Sequence, residues 1–323
     1  MRERPFGRAG FGVSELGVGM WGLADWSGGD ASESFDALHV AVEAGCTFFD
    51  TALAYGRGES ERILGRLLAE THGRALFTAT KVPPKNKRWP SENGADVDEV
   101  FPAAHIRECA LRSQENLQIE TIDLLQFHVW QDAWADDARW QEAVAALRDE
   151  RVIRHVGVSV NRLEPANVLR TLETGLISAV QVVYNVFEQA PEDDLFPACR
   201  ELGVAVIARV PLDEGSLGGT LTKDTRWPEG DWRNLYFKEE NLTETVDRVE
   251  ALRPLVSSGS TMAELALRFV LSHPDVTTVI PGMRRIRHVQ ENAAAAAAGP
   301  LDPALVDALR AHRWNRVTDS KPW

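Results

Sequence analysis

GVGMWG, residues 17–22, has the spacing G-x-G-x-x-G, and the way it is read decides the fold. One reading is a dinucleotide-binding fingerprint. There the glycines turn tightly beneath a pyrophosphate, and the third opens a helix whose N-terminus faces the phosphates. The residues that follow do not open a helix: Leu-Ala-Asp-Trp-Ser-Gly-Gly-Asp, residues 23–30, intervenes. The acid that would hold a ribose is Asp50, 28 residues past Gly22, where the fingerprint wants about 20. The stretch is better read as the end of a first strand, 16–20, in a sheet of another kind.

Working outward, strands are expected at 16–20, 47–50, 76–81, 122–128, 155–160, 179–184, 204–209 and 276–280. Most are continuous apolar runs without clean alternation, as parallel strands covered on both faces require. Helical periodicity lies between them. ASESFDALHVAVEAG (31–45) offers Ser32 and Ser34 as caps and stops at Gly45. GESERILGRLLAE (58–70) sets Ile63, Leu64, Leu67 and Leu68 on one face. HIRECALRSQENLQ, ARWQEAVAALRDE, LEPANVLRTLETG, DDLFPACRELG and MAELALRFVLSHP follow the same rule, and IRHVQENAAAAAAG is read as the last helix. Eight strands alternating with helices is the count for a (β/α)8 TIM barrel, here a single domain over 1–323. RPFGRAGFGVS (4–14) predicts an N-terminal β-hairpin closing the bottom. Residues 212–261 are too long for a plain connection and predict a loop with an extra helix near 242–256.

Bulk properties exclude several functions. A net charge of −13 opposes binding to nucleic acid or to an anionic membrane surface. No apolar run reaches the ~18 residues of a membrane span, and the basic start carries no secretory signal. Cys46, Cys109 and Cys199 are widely spaced, which fits buried thiols in a reducing cytoplasm and no metal quartet. No motif fixes an oligomeric state. An anionic ligand needs a local basic patch, and RRIRH, 284–288, is one.

Active sites of such barrels lie at the C-terminal ends of the strands. Asp50 closes the second strand and Tyr55 follows in its loop; Lys81 closes the third strand and His128 the fourth. Singly these are ordinary: a capping acid, a surface lysine, a core histidine. Together, on one rim, they make a proton donor. A phenol titrates near 10, and a neighbouring ammonium favours its phenolate. Lys81 supplies the ammonium, Asp50 keeps it charged, and His128 orients the oxygen that Tyr55 protonates.

These residues sit in FFDTALAYGRGESERILG, TATKV and LLQFHV, which with VGVSV, VQVVYNVFEQ, VPLDEGSLGG and VIPGMRRIRHVQENAAA resemble the aldo-keto reductase family across nearly the whole chain. The resemblance implies a barrel that binds NADPH (NADP+) across its strand ends. It implies the tetrad Asp50, Tyr55, Lys81 and His128. It matches Ser159 and Gln181 to contacts with the nicotinamide carboxamide, with Asn161 standing one residue later than the family's asparagine. Arg209 occupies a position where a tyrosine often stacks under the nicotinamide. Pro211, Leu212 and Gly215 fall in the loop resembling the pyrophosphate cover, and Gly282, Arg284, His288 and Asn292 in the segment facing the adenosine 2′-phosphate.

Seven of ten tryptophans fall in expected strand-to-helix loops: Trp21, Trp26, Trp89, Trp130, Trp134, Trp227 and Trp232. That predicts an aromatic mouth, and the resemblance implies a small-molecule carbonyl substrate there, with Trp21 matching a family position that lines the substrate side and Trp130 as a second substrate-binding residue. The reading is NADPH-dependent reduction of an aldehyde or ketone, with Tyr55 as general acid. Its rivals are an NAD(P)-dependent aldose or sugar-alcohol dehydrogenase, an NADPH-sensing regulatory subunit with vestigial catalysis, and an unrelated barrel lyase.

Overall fold

The expected hairpin forms from Glu3–Pro5 (β1) and Gly12–Ser14 (β2), paired antiparallel. The computed structural model describes residues 1–24, 31–314 and 316. Val18–Gly19 (β3), Phe48–Asp50 (β4), Phe77–Val82 (β5), Ile122–Phe127 (β6), Ile153–Ser159 (β7), Ala179–Val183 (β8), Ala205–Arg209 (β9) and Val276–Val279 (β10) follow. They pair parallel and in chain order. Parallel bridges Leu16↔Val279 and Gly19↔Gly282 join the first strand to the last and close the barrel. GVGMWG is therefore a barrel strand and its exit: Trp21–Leu23 is a single 3-10 turn.

Strand alternation divides the interior into layers. The lower layer is apolar. Phe48, Ala79, Leu124, Ala179 and Ala205 are fully buried with Phe6 and Val13 of the hairpin segment. Phe6 stacks on Phe48 with ring centroids 6.1 Å apart and lies 4.9 Å from Phe77, so the hairpin plugs the bottom with aromatic rings. Two residues further along the same strands stand Asp50, Lys81, Gln126 and Gln181. Gln181 on β8 reaches Asp50 on β4, strands from opposite sides of the barrel, which only the interior permits. Gly157 on β7 makes room: a Cβ there would sit 3.0 Å from Gln126 Cγ and 2.9 Å from the Ala179 carbonyl oxygen.

The helices correct several expectations. Ser32 and Ser34 lie inside Ala31–Glu43 and are not caps. Ser34 Oγ instead donates to the Arg284 carbonyl, 3.1 Å, tying this helix to the eighth loop. LEPANVLRTLETG winds into helix only over Leu169–Glu173. Before that, the Glu164 carboxylate accepts from the side chains of Asn161 and Asn167, favouring turns over a continuous helix. The extra helix forms at Glu239–Leu252. IRHVQENAAAAAAG is not the last helix, because Pro303–Arg310 follows, capped by Asp302 with proline in its first turn. Trp26 lies outside the described residues.

Candidate active site

The loop carrying Tyr55 is clamped from both ends. After β4 the Thr51 hydroxyl donates to Ser60 Oγ at 2.8 Å, and Ser60 donates on to the Met20 carbonyl. Gly56, Arg57 and Gly58 turn with positive φ. At Gly58 a Cβ would stand 2.4 Å from Asn116 Nδ2, so only glycine passes. That Nδ2 donates to Glu61 Oε2 (2.7 Å), while Thr80 donates to Glu61 Oε1 (2.6 Å). Ser60 and Glu61 of GRGESE are thus a buried staple holding Tyr55 over β5. The sequence reading did not single out Ser60, Glu61 or Asn116.

Asp50, Tyr55, Lys81 and His128 converge at the barrel mouth. Lys81 is fully buried, and all three of its N–H groups are used. They reach Asp50 Oδ1 at 2.5 Å, the Thr51 carbonyl at 2.7 Å and Tyr55 Oη at 3.4 Å. Asp50 Oδ2 accepts from Gln181 at 2.8 Å and Gln126 at 3.1 Å. A buried ion pair is tolerable only when the remaining lone pairs are satisfied in this way. His128 meets Tyr55 edge to face, 5.7 Å between centroids, and its Nδ1 is buried without a hydrogen-bond partner among the described residues.

Burial pushes the Tyr55 phenol above its ordinary pKa; Lys81 pulls the other way without overcoming it. The sequence reading expected Lys81 to win. A tyrosine so placed carries its proton throughout the physiological range. Burial opposes the Lys81 charge, yet the Asp50 carboxylate holds the ammonium above its usual pKa. Burial, then the charges of Lys81 and Arg209, hold His128 well below the usual imidazole range, so it is neutral. The group can give a proton at one oxygen and orient an acceptor beside it. Burial pushes the thiols of Cys46, Cys109 and Cys199 up to about 12, so they are inert packing groups. No cluster of three or more His, Cys, Asp or Glu among the described residues could hold a metal ion, and no helix there is long and apolar enough to cross a membrane.

The expected cofactor contacts fall on the same rim. Ser159 and Arg209 end β7 and β9. Gln181 has its amide nitrogen on Asp50 and Gln126, so only its oxygen is left to meet a ligand. Asn161 donates to the Trp130 carbonyl and to Glu164, while its buried Oδ1 has no donor among the described residues. A carboxamide N–H suits that orphaned acceptor. Pro211, Leu212 and Gly215 lie in a loop where Val210, Asp213, Glu214 and Gly215 all have positive φ. The sequence reading missed what holds it. Arg316, fully buried, donates to both Asp213 oxygens (2.8 and 2.9 Å) and to Glu188 (2.7 Å), and Arg162 adds contacts to Glu188, Asp213 and Glu214. Gly282 leaves open space where a Cβ would project. Ile286–Ala298 begins at Arg285 without a side-chain cap, so its first N–H groups are open to an anion beside Arg284. Asn292 is buried one turn on from His288. Burial and the nearby Arg287 depress the His288 pKa, making it a neutral hydrogen-bonding group. These residues fit a nicotinamide nucleotide.

The tryptophans divide. Trp130 is fully buried among Phe127, Trp134 and Trp140, and its indole N–H donates to Thr171. It presents no surface, and its expected role as a substrate-binding residue is corrected to core packing. Trp134 is core as well. Trp21, 43% exposed, lies 5.2 Å from the Trp232 ring. Trp89, 46% exposed, meets His128 edge to face at 4.5 Å. Trp89 thus walls the mouth directly, an assignment its place in a polar loop did not reveal.

Known proteins resemble the chain along its length. A family model described as the aldo/keto reductase family matches residues 15–313. An NADH-specific methylglyoxal reductase from Escherichia coli is 28% identical over 91% of this chain and 93% of its own. The aldo-keto reductase yakc [NADP(+)] from Schizosaccharomyces pombe is 28% identical over 87% of this chain and 83% of its own. The structure of the glycerol dehydrogenase AKR11B4 from Gluconobacter oxydans superposes with TM-score 0.77 at 26% identity, covering 99% and 98% of the two chains.

Proposed function

Because the chain belongs to the aldo/keto reductase family and is an oxidoreductase acting on carbonyl compounds, we propose that it reduces an aldehyde or ketone with NADPH, Tyr55 serving as general acid. The observation that carries this reading is the Tyr55 hydroxyl, 3.4 Å from Lys81 Nζ and flanked by the neutral His128 ring. When bound, the reduced nucleotide supplies the hydride. Tyr55 gives its proton to the carbonyl oxygen as charge develops there. His128 hydrogen-bonds that oxygen and sets its direction. Lys81, kept charged by Asp50, stabilises the phenolate left behind. Trp89 and Trp21 exclude water from the mouth and offer apolar walls.

NADPH over NADH is supported by Arg284 and the open helix start beside it, since similar enzymes are named for either nucleotide. The oxidative direction is the second reading, favoured by the name of the glycerol dehydrogenase neighbour. It needs a phenolate, and the raised Tyr55 pKa argues for reduction at neutral pH. The test is nucleotide absorbance with NADPH and NADH against a panel of aldehydes, ketones and sugars, and with NADP+ against the matching alcohols. Carbonyl-dependent NADPH oxidation is expected. Tight NADPH binding without turnover on any carbonyl would favour a nucleotide sensor instead.

A further inference from the structure

We propose that Arg209 makes this site hold the reduced, uncharged nicotinamide more tightly than the oxidised, cationic one. The proposal rests on the nicotinamide reading above and goes beyond it, to the oxidation state the site selects. Arg209 closes β9, and its Nη2 donates to the Val160 carbonyl at 3.2 Å, which sets the guanidinium across the end of β7. Its Nε is buried with no hydrogen-bond partner among the described residues. No carboxylate among them lies within ion-pair distance. The neighbouring acids are taken: Glu188 and Asp213 by Arg162 and Arg316, and Glu214 by Arg162. Lys81, by contrast, is neutralised by Asp50 at 2.5 Å. Arg162, Arg209 and Arg316 thus stand against Glu188, Asp213 and Glu214 in equal number, but Arg209 alone has no carboxylate in contact, so its charge is offset only at longer range, by Glu214 and Asp50.

That charge bears on the reacting atoms, since its electrostatic effect is felt by Tyr55, Asp50 and His128. A hydride passes only between atoms nearly in contact, about 3–3.5 Å apart. The accepting carbonyl has its oxygen at Tyr55, so the donating ring has to lie beside Tyr55, inside the field of Arg209. Reduced, that ring is neutral. Oxidised, it bears a positive charge facing another in a partly buried place, where salt screens little. A guanidinium keeps its proton and cannot relieve the repulsion by losing it.

The experiment is equilibrium titration of tryptophan fluorescence in the full-length protein with NADPH, NADP+, NADH and NAD+. It is repeated for Arg209→Gln, which keeps a donor for Val160, and for Arg209→Lys. In the parent protein each reduced nucleotide is expected to bind about tenfold or more tightly than its oxidised partner. Arg209→Gln should shrink that ratio by about tenfold, equally for the phosphorylated and unphosphorylated pairs, because the 2′-phosphate cancels. Arg209→Lys at neutral pH should keep most of it. A parent ratio at or below one, an unchanged ratio in Arg209→Gln, or a lysine variant indistinguishable from glutamine would each overturn the proposal. Failure of all four nucleotides to bind the parent would overturn the oxidoreductase reading instead.

Discussion

The floor and the mouth of this barrel are built by the same strands and differ in almost everything else. At the floor Phe48, Ala79, Leu124 and Ala179 meet Phe6 of the hairpin segment in a dry apolar layer. Two residues later on those strands stand Asp50, Lys81, Gln126 and Gln181, equally buried and joined by hydrogen bonds. Burying a phenylalanine contributes stability of about 1.5–3 kcal/mol. Burying an ion pair contributes little or is unfavourable, and breaking one is strongly destabilising. One sheet therefore divides the work by level: the lower layer holds the fold together, and the upper layer holds charges where water cannot screen them.

The division can be broken by experiment. Phe6→Ala should have the largest effect, about 3–5 kcal/mol of stability in urea denaturation, with kcat unchanged in the folded fraction. Lost turnover with no lost stability would end the separation of layers. Tyr55→Phe should do the reverse. Reduction falls about a hundredfold or more, while NADPH affinity and the melting temperature stay near those of the parent. An unchanged rate would remove Tyr55 from the chemistry. A smaller effect is expected at the eighth loop: Arg284→Ala should weaken NADPH binding about tenfold more than NADH binding, read by titration. Equal losses would mean that the basic loop does not read the extra phosphate.

The smallest expected change is none at all. Tyr55 acts protonated in reduction, and burial keeps its pKa above the ordinary phenol value, so the active form persists until the pH passes that raised value. His128 titrates well below the usual imidazole range, again through burial. kcat for reduction should therefore stay flat between about pH 6 and pH 9, whereas alcohol oxidation, which needs the phenolate, should rise across the same interval. A break near the ordinary imidazole pKa would return a charged His128 to the mechanism.

What could be read from sequence follows the same geometry. Strand ends were legible because apolar runs such as LLQF stop at a polar residue, and a (β/α)8 barrel turns such ends into a rim; Asp50, Lys81 and His128 are legible for that reason. Trp89 and Trp130 look alike in sequence, each an aromatic after a strand, yet one walls the mouth and the other fills the core. Only packing against Trp134 and Trp140 distinguishes them. Arg316 pairs with Glu188 and Asp213 across more than a hundred residues, a separation that no local pattern encodes. Pro303–Arg310 was legible and overlooked: an aspartate, then a proline, then apolar periodicity is a sound helix start.

Gly157 ties the two layers together through an atom it lacks. Gln126 occupies the space a Cβ would take and from there reaches Asp50. Positions 126 and 157 should therefore be coupled: an alanine at 157 meets both Gln126 and the Ala179 carbonyl, and a shorter residue at 126 relieves only the first contact while giving up one brace of the carboxylate. Anyone redesigning this pocket, or tracing how its specificity drifted, should treat the pair as one unit of variation.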